Sequence, residues 1–119
     1  MITNFEEITK EISEKEKNFV VPKIVEILKS AKGKKNKINS TQILFKLKSL
    51  GIKTKPARIR VMIHHIRNSG KIECLLAFNK GYYVSDDVLE VEKYIKSLIQ
   101  RSERMSRIAN KLLTQKLNL

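Results

Sequence analysis

The residues best suited to chemistry lie close together in the stretch 55–68, KPARIRVMIHHIRN. Its adjacent histidines, His64 and His65, are of the type that binds metals or transfers protons. The stretch is predicted to be helical, and neighbouring residues of a helix point about 100° apart, so the two rings cannot close on one metal ion. No carboxylate lies near them in sequence to orient either ring. The pair therefore predicts neither a metal site nor acid–base catalysis, and we interpret both residues as surface or DNA-facing histidines.

The rest of the sequence contains no residue arrangement typical of an enzyme. It has no glycine-rich phosphate-binding loop, no pair of carboxylates with a supporting residue for acid–base catalysis, and no nucleophile beside a general base. Cys74 alternates with apolar residues and is expected in the core; as the single cysteine it excludes an internal disulfide and a cysteine-based zinc site. No apolar run approaches the ~18 residues of a membrane span, and the acidic N-terminus does not resemble a signal peptide. We therefore expect a non-enzymatic, cytoplasmic protein without cofactor, membrane association or small-molecule substrate.

The net charge of +13 is concentrated in one part of the chain. Residues 27–72 carry thirteen basic side chains and no acidic ones, whereas residues 1–26 carry four basic and six acidic, and residues 73–119 eight and six. An AT-rich source genome would inflate the lysine content, but it would not remove acidic residues from one stretch. A positive field this concentrated attracts polyanions. The sequence therefore favours nucleic acid as the partner.

Capping residues and hydrophobic spacing predict the helices before the basic stretch. Thr3-x-x-Glu6 is a capping box that would open a short helix with Phe5, Ile8 and Ile12 on one side, and Ser13-x-x-Glu16 would open a second helix to about Lys32. Pro22 predicts a kink or a late start in the second helix. Its expected apolar stripe consists of Phe19, Val20, Ile24, Ile27 and Leu28.

Around the basic stretch the pattern predicts two further helices and a hairpin. Ile38 is expected in a short strand, followed by a helix that Asn39 or Ser40 caps and that runs through Leu50, with Ile43, Leu47 and Leu50 facing inward. Gly51 would end this helix. Thr54 would cap the next helix, 55–68, which Pro56 begins and Gly70 ends. Residues 71–78 and 82–84 are predicted to pair as strands about a tight turn at Asn79-Lys80-Gly81, and Ser85 or Asp86 would cap a long final helix.

From about Phe19 to Val84 this order of elements resembles the winged-helix superfamily of DNA-binding proteins. The residues that carry the resemblance are INSTQILFKLKSLGIKTKPARIRVMIHHIRNSGKI followed by AFNKGYYV. The chain is also similar to small winged-helix proteins that phages encode. The predicted fold class is mainly α with a small β-hairpin (α+β), a winged helix-turn-helix followed by a long C-terminal helix with a heptad pattern. The resemblance implies that helix 55–68 enters the major groove of DNA.

Within helix 55–68, Ile59, Met62, Ile63 and Ile66 recur at helical spacing and predict the buried face. Arginine suits guanine and small apolar side chains suit the thymine methyl group, so the candidates for base reading on the other faces are Ala57, Arg58, Arg60, Val61 and His65. Winged-helix complexes imply phosphate contacts from the turn, the helix ends and the wing tip. The corresponding residues are Lys53, Thr54, Lys55, Arg67, Lys71 and Lys80. Lys46 and Lys48 on the preceding helix and the Lys34-Lys35 loop are secondary candidates.

Residues 88–119 follow a heptad repeat, with Val88, Ile95, Ser102, Ala109 and Lys116 at position a and Val91, Leu98, Met105, Leu112 and Leu119 at position d. A stripe sustained for four heptads indicates helix–helix pairing, and Ile95, Leu98, Met105, Ala109 and Leu112 are the expected oligomerisation residues. The alternative is that this helix folds back on its own domain. The predicted organisation is a helical extension at 1–18, a winged-helix domain at 19–85 and a helix at 86–119 that forms a homodimer or higher oligomer.

The sequence thus predicts a double-stranded-DNA-binding protein, with transcriptional regulation as the expected role. A bacterial nucleoid-associated or phage-encoded protein fits this prediction. A protein binding a replication or partition site of a phage or plasmid would have the same features. A protein-interaction adaptor and an RNA-binding module, in which Tyr82 or Tyr83 would stack on bases, are alternatives of other classes.

Overall fold

The computed structural model describes residues 11–119. The expected capping box at Thr3 and Glu6, and the short helix with Phe5 and Ile8, lie outside the described residues. The chain divides into two compact units between Asp86 and Asp87. The first contains helices and a small antiparallel sheet, and the second is one long helix. This agrees with the expected α+β class.

The first described helix begins at the predicted capping box. The hydroxyl of Ser13 accepts from the backbone N–H of Glu16, whose carboxylate accepts from the backbone N–H of Ser13. A π-helical turn at Glu16–Val20 leads into α1, Val21–Ser30. Pro22 lies in the first turn of α1, directly after the π turn, and cannot donate the hydrogen bond that a regular helix would have there. The expected irregularity at Pro22 is therefore present as the π turn before it.

The next elements include two helices joined by a turn. A 3₁₀ turn at Lys34–Asn36 and the strand β1, Ile38–Asn39, precede α2, Ser40–Ser49, and α3, Pro56–Ser69. Asn39 caps α2 through a capping box with Gln42. At the other end the N–H of Gly51 donates to Lys48 and that of Ile52 to Leu47, at 3.0 and 2.9 Å. This Schellman pattern requires the left-handed conformation that Gly51 adopts, φ +81°.

A three-stranded antiparallel sheet closes the first unit. Strand β2, Leu75–Phe78, and strand β3, Gly81–Val84, form a hairpin, and β1 adds to the outer edge of β3. Asn79 and Lys80 both have positive φ, +48° and +64°. Two such residues form the type of two-residue turn whose twist matches that of a hairpin. The predicted tight turn is therefore present.

One hydrophobic core joins the three helices to the sheet. Its fully buried side chains include Ile24, Leu28, Ile43, Leu47, Ile59, Met62, Ile63 and Ile66. The predicted inner face of helix 55–68 is thus confirmed residue by residue. Leu75 extends the core from the sheet, and half-buried Tyr82 and Val84 pack against it. The core fixes the orientation of α3, because four of its fourteen residues are locked inside.

The second unit is α4, Val88–Gln115, followed by a 3₁₀ turn at Lys116–Asn118. Its N-cap is Asp87, whose carboxylate accepts from the N–H groups of Leu89 and Glu90, and not Ser85 or Asp86 as predicted. Every residue from 95 to 119 is exposed. Within the described part of the chain, no helix combines the length and the apolar character of a membrane span.

Several local predictions were wrong. Phe19 and Leu50 are 67% and 57% exposed, because the π turn and the end of α2 rotate them away from the core. Cys74 is exposed with φ +54°, since the predicted strand at 71–78 begins only at Leu75 and a turn precedes it. The residue that caps α3 is Lys55, and no side-chain cap forms there, so Thr54 does not have the predicted capping role.

Candidate nucleic-acid interface

Helix α3 has a well-defined direction because both of its ends are fixed by the sequence. Pro56 occupies its first turn, where a preset φ favours the helix. Gly70 ends it in the left-handed conformation, φ +69°. With Ile59, Met62, Ile63 and Ile66 buried, the other side of α3 faces outward.

The outward side of α3 carries most of the residues predicted to read bases. Arg60 is exposed, and Ala57, Val61 and His65 are half-buried. Together they form a small surface with one cation, two small apolar groups and one imidazole. These groups offer hydrogen-bond donors beside methyl groups, which is the combination that distinguishes base pairs in a major groove.

Arg58, the fifth predicted base-reading residue, is engaged within the protein. Its Nε donates to Oε2 of Glu16 at 2.9 Å, and its terminal nitrogen donates to Oε1 of the same carboxylate. The terminal nitrogen also donates to the backbone oxygen of Glu11 at 2.9 Å. Arg58 therefore ties the segment before α1 to the first turns of α3. The prediction from sequence placed it on the groove-facing side without this partner.

The Arg58–Glu16 pair is partly buried, with side chains 22% and 15% exposed. The hydrogen bonds from Arg58 lower the pKa of the Glu16 carboxyl below its ordinary value of 4.5, although burial opposes this. The same contact raises the pKa of Arg58. The Glu16 carboxylate also accepts from the backbone N–H of Ser13 in the capping box. One carboxylate therefore stabilises the start of the first described helix and binds Arg58 of α3.

The residues predicted to contact phosphate lie on the surface of the first unit. Lys53 and Lys55 are exposed in the connection between α2 and α3, with Thr54 half-buried between them. Exposed positions are also found for Lys46 and Lys48 in α2, Lys71 after α3 and Lys80 at the hairpin turn, whereas Arg67 is half-buried. No acidic residue interrupts this set between positions 27 and 72.

A second basic surface, which we call the tip cluster, consists of Lys34, Lys37, Phe78 and Lys80. Phe78 ends β2 and is 41% exposed. The ammonium of Lys34 lies 4.3 Å from the centre of its ring and that of Lys37 lies 5.8 Å away, both within the range of a cation–π contact. An exposed aromatic ring with two ammonium groups is a suitable surface for a phosphate or a base.

The loop that supplies these lysines is held against the sheet. The N–H of Val84 donates to Ala31 and the N–H of Gly33 to Val84, at 2.8 and 2.9 Å. The side chain of Asn36 closes the 3₁₀ turn by donating to the backbone of Lys32 at 2.8 Å. A Cβ on Gly81 would lie 3.0–3.2 Å from the side chain of Lys37, so the absence of a side chain lets Lys37 cross the hairpin there. The tip cluster is therefore a fixed surface of the fold.

The remaining candidate groups have ordinary surroundings. The side-chain amide of Asn68 lies 3.0 Å from Nε2 of His64, one turn away on α3. Tyr82 is half-buried and packs against the core, whereas Tyr83 is buried but is not part of the core cluster, so the expected division into one core ring and one surface ring is not found. Buried Tyr83 is not positioned to stack on a base. Among residues 11–119 no group of His, Cys, Asp and Glu side chains could hold a metal ion.

Sequence reasoning missed the Arg58–Glu16 pair and the contact of Lys34 and Lys37 with the ring of Phe78. Both join residues more than forty positions apart, and no local pattern reports such contacts. The signal available for the first was the capping box, which fixes Glu16 near a helix start. For the second it was the exposed end of a predicted strand beside a lysine-rich loop. Comparisons of the chain with protein-family models, curated proteins and solved structures found no match.

Proposed function

We propose that the first unit is a winged-helix-type domain that binds double-stranded DNA and reads the major groove with α3. The observation that carries the proposal is the acid-free charge: thirteen basic residues and no acidic one between 27 and 72. Folding buries the apolar face of α3 and leaves Arg60 exposed on the outward side of the helix. Charge and shape therefore favour the same helix.

Base reading is assigned to the outward face of α3, with Arg60 as the principal residue. Its guanidinium is exposed, whereas that of Arg58 is held by Glu16. Ala57 and Val61 are suited to thymine methyl groups, and His65 to a hydrogen bond. Arg58 has a positioning role in this proposal, because it fixes the start of α3 relative to the preceding segment.

Phosphate contacts are assigned to the lysines around α3 and to the tip cluster. Lys53 and Lys55 precede α3, and Lys71 follows it. Lys34, Lys37 and Lys80 would extend the contacts from the hairpin, where a wing contacts the backbone of DNA. Phosphate contacts orient a protein on DNA without specifying sequence, so sequence preference depends on α3.

The biological role that we favour for such a protein is transcriptional regulation in the cytoplasm. Binding of a replication or partition site would use the same surface. These roles differ in the target site, not in the chemistry of recognition, and the assignment rests on analogy between folds.

A second candidate is binding of single-stranded nucleic acid at the tip cluster. The observation that favours it is the exposed ring of Phe78 beneath Lys34 and Lys37. Stacking on an aromatic ring beside cations is the usual means of holding single strands. In this case Phe78, and not Arg60, would dominate affinity.

The test is a fluorescence-anisotropy titration of a random-sequence DNA duplex and of a single strand of the same length. If about six phosphate contacts form, log affinity falls against log salt with a slope near −5, roughly a thousandfold between 50 and 200 mM salt. Arg60→Ala is compared with Arg104→Ala, which removes an equally exposed helical arginine from the second unit.

We expect Arg60→Ala to weaken duplex binding several-fold and Arg104→Ala to leave it nearly unchanged. Preference for the single strand, with loss on Phe78→Ala, would favour the second candidate. Failure to bind either nucleic acid at low salt would contradict both and favour a protein-interaction adaptor.

A further inference from the structure

The second unit carries an exposed apolar stripe along its helix. Along α4 the side chains of Ile95, Leu98, Met105 and Leu112 are 40–70% exposed. They recur at heptad positions a and d, and therefore lie on one side of the helix. Ser102 and Ala109 interrupt the stripe with small residues, which leave a shallow depression beside Leu98 and Met105. We propose that a second copy of this chain covers the stripe in an antiparallel orientation.

The sizes of the side chains select this orientation. In a parallel pair each heptad residue faces its own equivalent, so Ser102 would face Ser102 and Ala109 would face Ala109, which leaves voids in the seam. In the antiparallel pair an a residue faces a d residue. Within α4 the pairs are then Ser102 with Met105, Ala109 with Leu98, and Ile95 with Leu112, and Lys116, which directly follows the helix, meets Val91.

Every small residue of the stripe thus meets a large one. Met105 of one copy fits the depression beside Ser102 of the other, and Leu98 covers Ala109. Interdigitation of large and small side chains gives a seam without cavities. A single alignment satisfies all four pairs, with its centre between Glu103 and Arg104.

Charge favours the same orientation. Residues 104–119 carry four basic side chains and no acidic one, whereas residues 88–103 carry three of each. A parallel pair would bring the two basic halves together and would place Lys116 against Lys116. The antiparallel pair lays each basic half along a neutral one. It also places Lys116 level with Val91 and next to Glu92 of the second copy.

The orientation determines where the first units attach. Helix α4 has 28 residues, so it is about 42 Å long. In the antiparallel pair the two Asp87 ends lie at opposite ends of the rod, about 50 Å apart along its axis. This inference does not depend on DNA binding, and its test contains no nucleic acid.

The test is the distance between spin labels in the full-length protein, in a Cys74→Ser background because Cys74 is exposed. Lys93→Cys and Gln100→Cys place single labels at equivalent outward heptad positions. In the antiparallel pair Lys93 is level with Thr114 of the second copy, 21 residues from the other label, an axial separation of about 31 Å. Gln100 is level with Arg107, 7 residues away, or about 10 Å.

We expect the label at 93 to report a clearly longer distance than the label at 100. Equal distances at the two positions would indicate parallel pairing and overturn the proposal. A protein that sediments as a monomer at micromolar concentration would overturn it as well.

Charge reversal gives an independent check. Lys116→Glu should weaken self-association several-fold more than Lys111→Glu, a change at an outward heptad position. Adding Glu92→Lys to Lys116→Glu should restore it, because opposite charges again face each other. Absence of this rescue would contradict the alignment.

Discussion

Replacing Arg58 by alanine separates a residue that stabilises the fold from one that contacts DNA. The change removes two hydrogen bonds to the Glu16 carboxylate and one to the backbone oxygen of Glu11. Glu16 then remains a partly buried carboxylate without its cation. We therefore expect Arg58→Ala to destabilise the first unit, whereas Arg60→Ala should leave its stability unchanged.

The magnitude follows from the geometry of the pair. A charge-assisted contact of this kind contributes about 1.5–3 kcal/mol when it is shielded from water. The side chains are 22% and 15% exposed, so we take a value of about 2 kcal/mol, below the cost of breaking a fully buried pair. For a domain of this size, that loss lowers the melting temperature by roughly 8–16 °C. Arg60 is exposed, and its removal should change stability by less than about 0.5 kcal/mol.

The assay is urea unfolding of the wild type, Arg58→Ala, Glu16→Gln and the double variant. Glutamine at position 16 retains the ability to close a capping box, so Glu16→Gln removes the charge with little effect on the helix start. The two single changes should each destabilise, and the double variant should cost less than their sum. Such coupling identifies a direct interaction.

The pH dependence of the difference in stability between the wild type and Arg58→Ala gives a second test. The pKa of Glu16 is lowered in the folded state by Arg58. The stability that the pair contributes is therefore fully present above the ordinary pKa of 4.5 and is lost as the pH falls through the lowered value. Wild type and Arg58→Ala should differ most near neutral pH and converge in acid. If Arg58→Ala unfolds like the wild type at neutral pH but loses DNA affinity, the reasoning is refuted and Arg58 contacts DNA.

Three other substitutions test the surface and the helix ends. Lys34→Ala/Lys37→Ala should weaken duplex binding at all sequences and reduce the salt slope by about 2; Lys23→Ala is the control, and an unchanged slope would exclude phosphate contact at the tip cluster. Asn39→Ala should lower the free energy of unfolding by about 1 kcal/mol, because it removes the cap of α2, whereas Asn39→Asp should retain most of it. Gly70→Ala should lower the free energy of unfolding by about 1 kcal/mol, because the backbone there has φ +69°. Gly70→Asn should lower it less, because asparagine tolerates the left-handed conformation. Equal stability of the two variants would show that the left-handed conformation at this helix end carries no such penalty.

The parts of the fold that could be predicted from the sequence are those set by neighbouring residues. The capping boxes at Ser13 and Asn39, the helix end at Gly51 and the buried face of α3 each depend on residues within one or two turns. The hairpin at Asn79-Lys80 was predicted for the same reason.

The parts that could not be predicted depend on contacts between distant segments. The alternation around Cys74 indicated a strand, but the chain needs a turn there to bring β2 back onto the core, so Cys74 lies outside it. Arg58 was placed by a helical wheel, which describes one helix and contains no information on the carboxylate that reaches it from Glu16. Similarly, nothing local places Lys34 over the ring of Phe78.

The measurement that tests the central claim most directly is a nuclear magnetic resonance titration of the isotope-labelled full-length protein with a DNA duplex. The account predicts that the largest shifts of backbone amide signals lie between Lys53 and Asn68, with further shifts at the tip cluster. Signals of α1 and of α4 beyond Ile95 should change little. Shifts confined to α4, or no shifts at low salt, would contradict the claim that α3 binds DNA.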